Sequence, residues 1–152
     1  MSEQIAFRLN EASEAQIAEH LSLCDAYFVP PLSGRVDIGS YAHKIASKAT
    51  RFEAWDRDLV GLLAAYCNDR ERGVAYITSV SVLEAWQGRG IASRLLERCI
   101  EHAKEQRFQR VELEVDGGNV GAVKLYAKNG FLVNREKGAA VNMRLDFGEE
   151  AK

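Results

Sequence analysis

The sequence predicts a single mixed α/β (α+β) domain of about seven strands and about four helices, and three observations predict it. Short stretches that alternate apolar with polar residues interleave with longer ones whose apolar residues recur at helical spacing. The resulting order, strand, helix, helix, three strands, helix, strand, helix and two strands, runs through once without an internal repeat. The length, 152 residues, suits one domain with a sizeable core rather than two.

Each element has a local reason. Ile5, Phe7 and Leu9 alternate with polar neighbours as a half-buried strand does, and Ser13 with Gln16 forms a capping-box start for a helix carrying Ile17, Leu21 and Cys24 on one face. Pro30-Pro31-Leu32-Ser33-Gly34 interrupts the chain, and Ile38 to Ala49 reads as a second, weaker helix with Tyr41, Ile45 and Ala49 in line. Phe52 to Trp55 and Val60 to Cys67 make a hairpin around Asp56-Arg57-Asp58, and a β-branched run from Val74 to about Leu83 adds a third antiparallel strand. Gly88-Arg89-Gly90 precedes the strongest helix, with Ile91, Leu95, Leu96, Cys99, Ile100 and Ala103 on one stripe. Val111, Leu113 and Val115 form a strand that Asp116-Gly117-Gly118 breaks; Asn119 caps a short helix with Ala122, Val123 and Tyr126, and Asn129-Gly130 ends it. Phe131 to Arg135 and Ala140 to Leu145 close the fold around a Glu136-Lys137-Gly138 turn, so the domain is expected to span residues 1–147, with 148–152 a frayed tail.

Composition excludes several classes. With 20 Lys+Arg against 22 Asp+Glu the net charge is −2, so no global positive field exists to hold a phosphate backbone and nucleic acid is not an expected partner. The longest nearly apolar stretch, Leu59 to Cys67, is too short to cross a bilayer, so no membrane partner is expected. The first residues carry Glu3 and no continuous apolar stretch of the kind a secretory signal needs, which makes the cytoplasm the expected location. Cys24, Cys67 and Cys99 are odd in number and widely spaced, and His20, His43 and His102 are isolated, so no metal site is expected. The cysteines read as reduced core or helix residues and the histidines as solvated or partly buried.

Gln87-Gly88-Arg89-Gly90-Ile91-Ala92 joins a strand to the strongest helix, so its backbone N–H groups converge where an anion is favoured. A dinucleotide fingerprint would need a third glycine where Ser93 stands, and the Gly-Lys-Ser/Thr of a triphosphate-binding loop is absent. Two readings survive: a pyrophosphate cradle, with Gly88 and Gly90 removing the Cβ atoms that would hold the phosphates off, or a turn that uses glycine for close packing.

Val82-Leu83-Glu84-Ala85-Trp86-Gln87-Gly88-Arg89-Gly90-Ile91-Ala92 resembles motif A of the GCN5-related N-acetyltransferases, the GNAT superfamily, and Leu113-Glu114-Val115 with Asn119, Ala122, Leu125-Tyr126 and Gly130-Phe131 resembles its motif B. The two occur in the right order and spacing over about residues 74–132, and the flanking elements fit the family outline over essentially the whole chain. The resemblance implies a mixed, mostly antiparallel sheet that splays between strands 74–83 and 110–116, with the pantetheine arm of acetyl-CoA in the gap. It assigns cofactor contacts to Val80, Val82, Gln87, Gly88, Arg89, Gly90, Ile91, Ala92, Asn119 and Tyr126. Lys124 and Lys128 are candidates for the 3′-phosphoadenosine end. For Asn119, capping a helix is already a sufficient structural role, and Arg89 reads equally as a solvated turn residue.

The activity implied is acetyl transfer to a primary amine by direct attack, without a metal. The resemblance places an oxyanion-binding backbone N–H at the bulged end of the motif A strand, at Val82 to within one residue. Tyr126 matches the proton donor to the departing sulfur, a phenol with an ordinary pKa of about 10 being protonated at neutral pH; the other reading is an aromatic packed on the sheet. Glu114 resembles a general base acting directly or through water, or else is an exposed strand carboxylate like Glu112, which shares its parity. Where other members carry a catalytic glutamate on the motif A strand, this chain has Tyr76, Thr78, Ser79 and Ser81. The first two helices and their loop would wall the acceptor pocket, offering Phe28, Pro30, Pro31, Arg35, Asp37 and Tyr41, of which Phe28, Arg35 and Tyr41 are the candidate substrate contacts. The expected acceptor is a small-molecule amine such as an amino sugar, amino acid or polyamine, with a peptide N-terminal amine as the alternative and a non-catalytic acyl-CoA sensor as the reading of a different class. A homodimer is common in such a family, often through the last strands, although no apolar run here demands one.

Overall fold

Period-two patterning resolves into one seven-stranded sheet with helices on both faces in the computed structural model of the chain, which describes residues 4–148. In chain order the elements are β1 (Ala6–Leu9), α1 (Glu14–Cys24), α2 (Ile38–Lys48), β2 (Thr50–Asp56), β3 (Asp58–Asp69), β4 (Val74–Val82), α3 (Ile91–Glu105), β5 (Arg110–Asp116), α4 (Val120–Lys128), β6 (Leu132–Lys137) and β7 (Ala140–Asp146). This is the mixed α/β class and the element order the sequence predicts. The frayed tail expected at 148–152 lies outside the described residues except for Gly148.

The strands lie in the order β1-β2-β3-β4-β5-β7-β6, and every neighbouring pair is antiparallel except β4 with β5. Helices α1 and α2 cover one face through Ile17, Leu21 and Ile45 against Trp55, Leu59 and Leu62. The other face packs Leu95, Leu96 and Cys99 of α3 and Tyr126 of α4 against Leu63, Ala75, Leu113 and Met143. Each of these fully buried leucines stabilises the fold by about 2 kcal/mol. Glu53 is wholly buried on β2, where it accepts from the backbone N–H of Glu11 and Ala12 and from Trp55 Nε1, tying the start of α1 to the sheet.

Two residues depart from their expected environments. Leu9, expected inward, is 44% exposed, because β1 pairs only with β2 at the sheet's edge and the chain turns away at Asn10 with φ of 60°. His20, expected to be solvated or partly buried, is 2% exposed. Its Nδ1–H donates to the Leu59 carbonyl and its Nε2 accepts from the Ser81 hydroxyl, both at 2.9 Å, so partners on β3 and β4 make a buried neutral imidazole tolerable. Burial holds its pKa below the ordinary value.

The sheet opens in its middle. β4 and β5 are paired only over Val74–Ile77 and Arg110–Leu113, although both strands run on. At the same level the register of β4 against β3 slips: Ala65 faces Ile77 but Ala64 faces Ser79, which leaves Thr78 as the extra residue of a β-bulge. The bulge reverses side-chain parity. Ala75 and Ile77 face α3 before it, Val80 and Val82 take that face after it, and Ser81 turns to α1. The bulge expected at Val82 therefore lies at Thr78, because pairing with β3, rather than the composition of the β-branched run, sets its position.

Candidate active site

The splay creates a cleft of about 290 Å³ between the upper halves of β4 and β5, floored by Ile77 and Leu113 and walled on the α1–α2 side by Phe28, Arg35 and Tyr41. A second cavity of about 200 Å³ runs from it toward Gln87 and Ala92. Phe28, Val80, Ala122 and Tyr126 line both, so the two meet beside Tyr126.

Register fixes which backbone groups face this space. Leu83 N–H donates to the Val60 carbonyl at 2.9 Å, which makes 83/60, 81/62 and 79/64 the hydrogen-bonded pairs of the ladder. The N–H groups of Val80 and Val82 consequently point away from β3, into the gap. The Val82 carbonyl is taken by Gln87 Nε2 at 3.0 Å.

Gly88 and Gly90 have φ of 80° and 79°, the left-handed region that side chains disfavour, and a Cβ at either would meet nothing within 4 Å. Close packing is therefore not why glycine stands there. The turn leaves exposed backbone and open space in front of α3, whose start has no side-chain cap. Ile91 and Ala92 begin that helix, and Ala92 lines the second cavity. Arg89 folds back, its guanidinium 4.7 Å over the Trp86 ring and donating to the Ala85 carbonyl at 3.3 Å.

Tyr126 is 7% exposed, packs against Phe131 at 5.9 Å between ring centroids, and has no hydrogen-bond partner for its hydroxyl among the described residues. Burial pushes its phenol up to about 12. Asn119 lines the cleft while its Oδ1 accepts from the Ala122 N–H at 3.2 Å, so capping of α4 and a place at the cleft coexist. Glu112 and Glu114 share a face of β5 but differ in their surroundings. Glu112 is paired with Arg110, whereas Glu114 lines the cleft with no hydrogen bond or ion pair among the described residues. Burial, and then the charges of Glu114 and Glu112, raise the neighbouring Tyr76 phenol.

On the opposite wall the Tyr41 hydroxyl donates to the Thr78 carbonyl at 2.8 Å and lies 2.7 Å from Thr78 Oγ1. Pro30, Pro31 and Asp37 do not line the cleft, and Asp37 instead caps α2, accepting from the Ser40 N–H at 2.9 Å. The sequence assigned to the site neither Asp116, read as part of a strand break but lining the cleft, nor Cys24, read as a core residue but lining the second cavity. Cys24 is buried and its thiol is pushed up to about 11, so it contributes bulk rather than a nucleophile. No group of three or more metal-binding side chains occurs among the described residues, and no helix there is long and apolar enough to cross a membrane.

Residues 16–131 match the family model described as the acetyltransferase (GNAT) family. The spermine/spermidine N(1)-acetyltransferase of Bacillus subtilis is 29% identical over 93 residues, covering 60% of this chain and 56% of that protein. The N-alpha-acetyltransferase MAK3 of Arabidopsis thaliana is 36% identical over 74 residues, 48% of this chain and 39% of that protein. The chain thus spans about half or less of the length of these curated relatives. Among solved structures, the PaiA N-acetyltransferase of Thermoplasma acidophilum in complex with coenzyme A superposes with a TM-score of 0.72 over 93% of this chain and 99% of that one; at 15% identity the likeness is one of fold.

Proposed function

This chain belongs to the acetyltransferase (GNAT) family, and from that membership we propose that it transfers the acetyl group of acetyl-CoA to the primary amine of a small molecule. The observation that supports the reading is the splay of β4 from β5, which opens a channel lined by Val80, Val82 and Tyr126 and ending at Gln87 and Ala92, the residues that flank the open glycine turn. Acetyl-CoA supplies a thioester-activated acyl group. The N–H groups around Gly88 and Gly90 bind its pyrophosphate, where absent Cβ atoms leave room. Val80 and Val82 N–H line its pantetheine arm. Val80, the first outward donor after the bulge, stabilises negative charge on the thioester oxygen during attack.

Tyr126 delivers a proton toward the sulfur. A phenol raised to about 12 holds its proton throughout the physiological range, as a donor must. Glu114, unpaired at the cleft, accepts the proton the amine loses. A peptide N-terminal amine is the second reading, favoured by a groove that continues past Glu114 over β6 and β7 along Arg135, Lys137 and Asn142. The test is release of free thiol from acetyl-CoA in the presence of a panel of small amines and peptides. Amine-dependent release supports transfer, while saturable acetyl-CoA binding with no release from any acceptor identifies an acyl-CoA-binding module instead.

A further inference from the structure

We propose that the acceptor is an amino-carboxylate, its carboxylate held on the α1–α2 side of the cleft by Arg35 and Ser79 while its amine is turned toward Glu114; the inference rests on the acetyl-transfer reading above. Ser79 is 6% exposed, lines the cleft, and its Oγ has no hydrogen-bond partner among the described residues. A buried hydroxyl left in that state is completed by an acceptor atom arriving in the cleft. The bulge turns Ser79 away from the face that packs on α3 and toward the α1–α2 side, where its hydroxyl lies beside that of Tyr41, which donates to the Thr78 carbonyl. Arg35 lines the same cleft, exposed, with no ion pair or hydrogen bond among the described residues.

The facing wall has the opposite sign. Glu114 and Asp116 project from β5; Asp116 is occupied by the Gly118 N–H at 2.7 Å, and Glu114 is unpaired. A zwitterion therefore has one favourable orientation here. Its carboxylate accepts from the planar guanidinium fork and from the Ser79 hydroxyl, and its amine lies beside the carboxylate that takes its proton. A polyamine offers Arg35 no acceptor and brings a second cation toward the first. In this respect the cleft differs from what the name of the Bacillus subtilis relative would suggest.

The experiment measures kcat/KM by thiol release for alanine, β-alanine and γ-aminobutyrate, each beside its carboxamide, and for spermidine. At least one acid is expected to exceed its carboxamide by about tenfold or more, because buried polar groups built for a partner reject an analogue lacking it. Arg35→Ala should pull that ratio toward one, chiefly by raising KM, and Ser79→Ala should reduce it by a smaller factor. Arg35 is exposed, so its replacement does not endanger folding. Ratios of one or less for every pair, or a ratio unchanged in Arg35→Ala, would overturn the inference while leaving acetyl transfer intact. Absence of thiol release with every one of these amines overturns the inference, and acetyl transfer falls with it only when peptides with free N-terminal amines also release no thiol.

Discussion

Replacing Tyr126 with phenylalanine separates chemistry from architecture at this site. The phenol is 7% exposed and its hydroxyl has no partner among the described residues, so Tyr126→Phe orphans nothing, keeps the ring contact with Phe131 and relieves the desolvation of a buried polar group. Stability is expected to hold or rise by up to about 1 kcal/mol, which on a domain of this size is about 2–4 °C in melting temperature. Turnover responds to a different quantity. Loss of a positioned proton donor lowers kcat by about 10²- to 10⁴-fold, equivalent to roughly 3–5 kcal/mol in the barrier. Acetyl-CoA affinity, measured by calorimetry, should change little, because the hydroxyl acts when charge develops on the sulfur. With the phenol pushed up to about 12, ionisation of Tyr126 should impose no alkaline fall in wild-type kcat below about pH 11. Wild-type turnover in Tyr126→Phe would refute the proton-donor role, and a melting temperature lowered by several degrees would refute the unpartnered state.

Two glycines and a histidine give sharper contrasts. Gly90→Val should weaken acetyl-CoA binding by at least about tenfold in calorimetry, with about 1–2 kcal/mol of stability lost to the left-handed φ of 79°; unchanged affinity would displace the pyrophosphate from this turn. Gly61→Ala places a Cβ 2.9 Å from Ile91 Cγ2 and 3.2 Å from the Ala54 Cβ, so a destabilisation of about 1–3 kcal/mol is expected in thermal melts; an unshifted melting temperature would show that α3 yields freely. His20 titrates below its ordinary 6.5 when folded, so the unfolded chain binds that proton first. The histidine's contribution is intact above pH 6.5 and lost as pH falls through the lower folded value. His20→Gln should flatten this part of the acid-side slope of melting temperature against pH, and an identical slope in the variant would exclude His20 as its source.

Local chemistry explains why the element order could be read and the site's depth could not. Ser13 and Gln16 hold one another's backbone N–H groups at 2.9 and 3.1 Å, and Asn119 caps α4; such signals lie within a few residues of the feature they specify. The same holds for Gly88 and Gly90, whose positive φ belongs to the turn itself. The full burial of His20 is not local, because its partners, Leu59 and Ser81, lie 39 and 61 residues away. The position of the bulge is non-local too: the five β-branched residues among the nine of Val74 to Val82 fall on both sides of Thr78, and only the register against Ala64 and Ala65 reveals that Thr78 is supernumerary. Parity counted from sequence therefore fails beyond Thr78, on the half of the strand that faces the cleft.

That half of β4 is in effect a sheet edge exposed at the centre of a sheet, and an unpaired edge ordinarily invites another strand. Its hydrogen-bonding groups are distributed unequally. Tyr41 takes the Thr78 carbonyl and Gln87 takes the Val82 carbonyl, so side chains from α2 and from the turn before α3 satisfy two acceptors. The N–H groups of Val80 and Val82 stay directed into the gap, and across it β5 has left the pairing after Leu113. Two of its carbonyls are thus taken while that of Val80, which shares the direction of its own N–H, stays open into the gap, and an edge so unevenly equipped has less appeal to a second strand. It suits a narrow ligand whose amides accept from the two N–H groups and donate to the Val80 carbonyl. An amide-bearing chain ending in a thioester carbonyl has that character. The bulge, the two side chains that cover carbonyls and the splay thus act together to make a ligand channel from a parallel pair that would otherwise have closed.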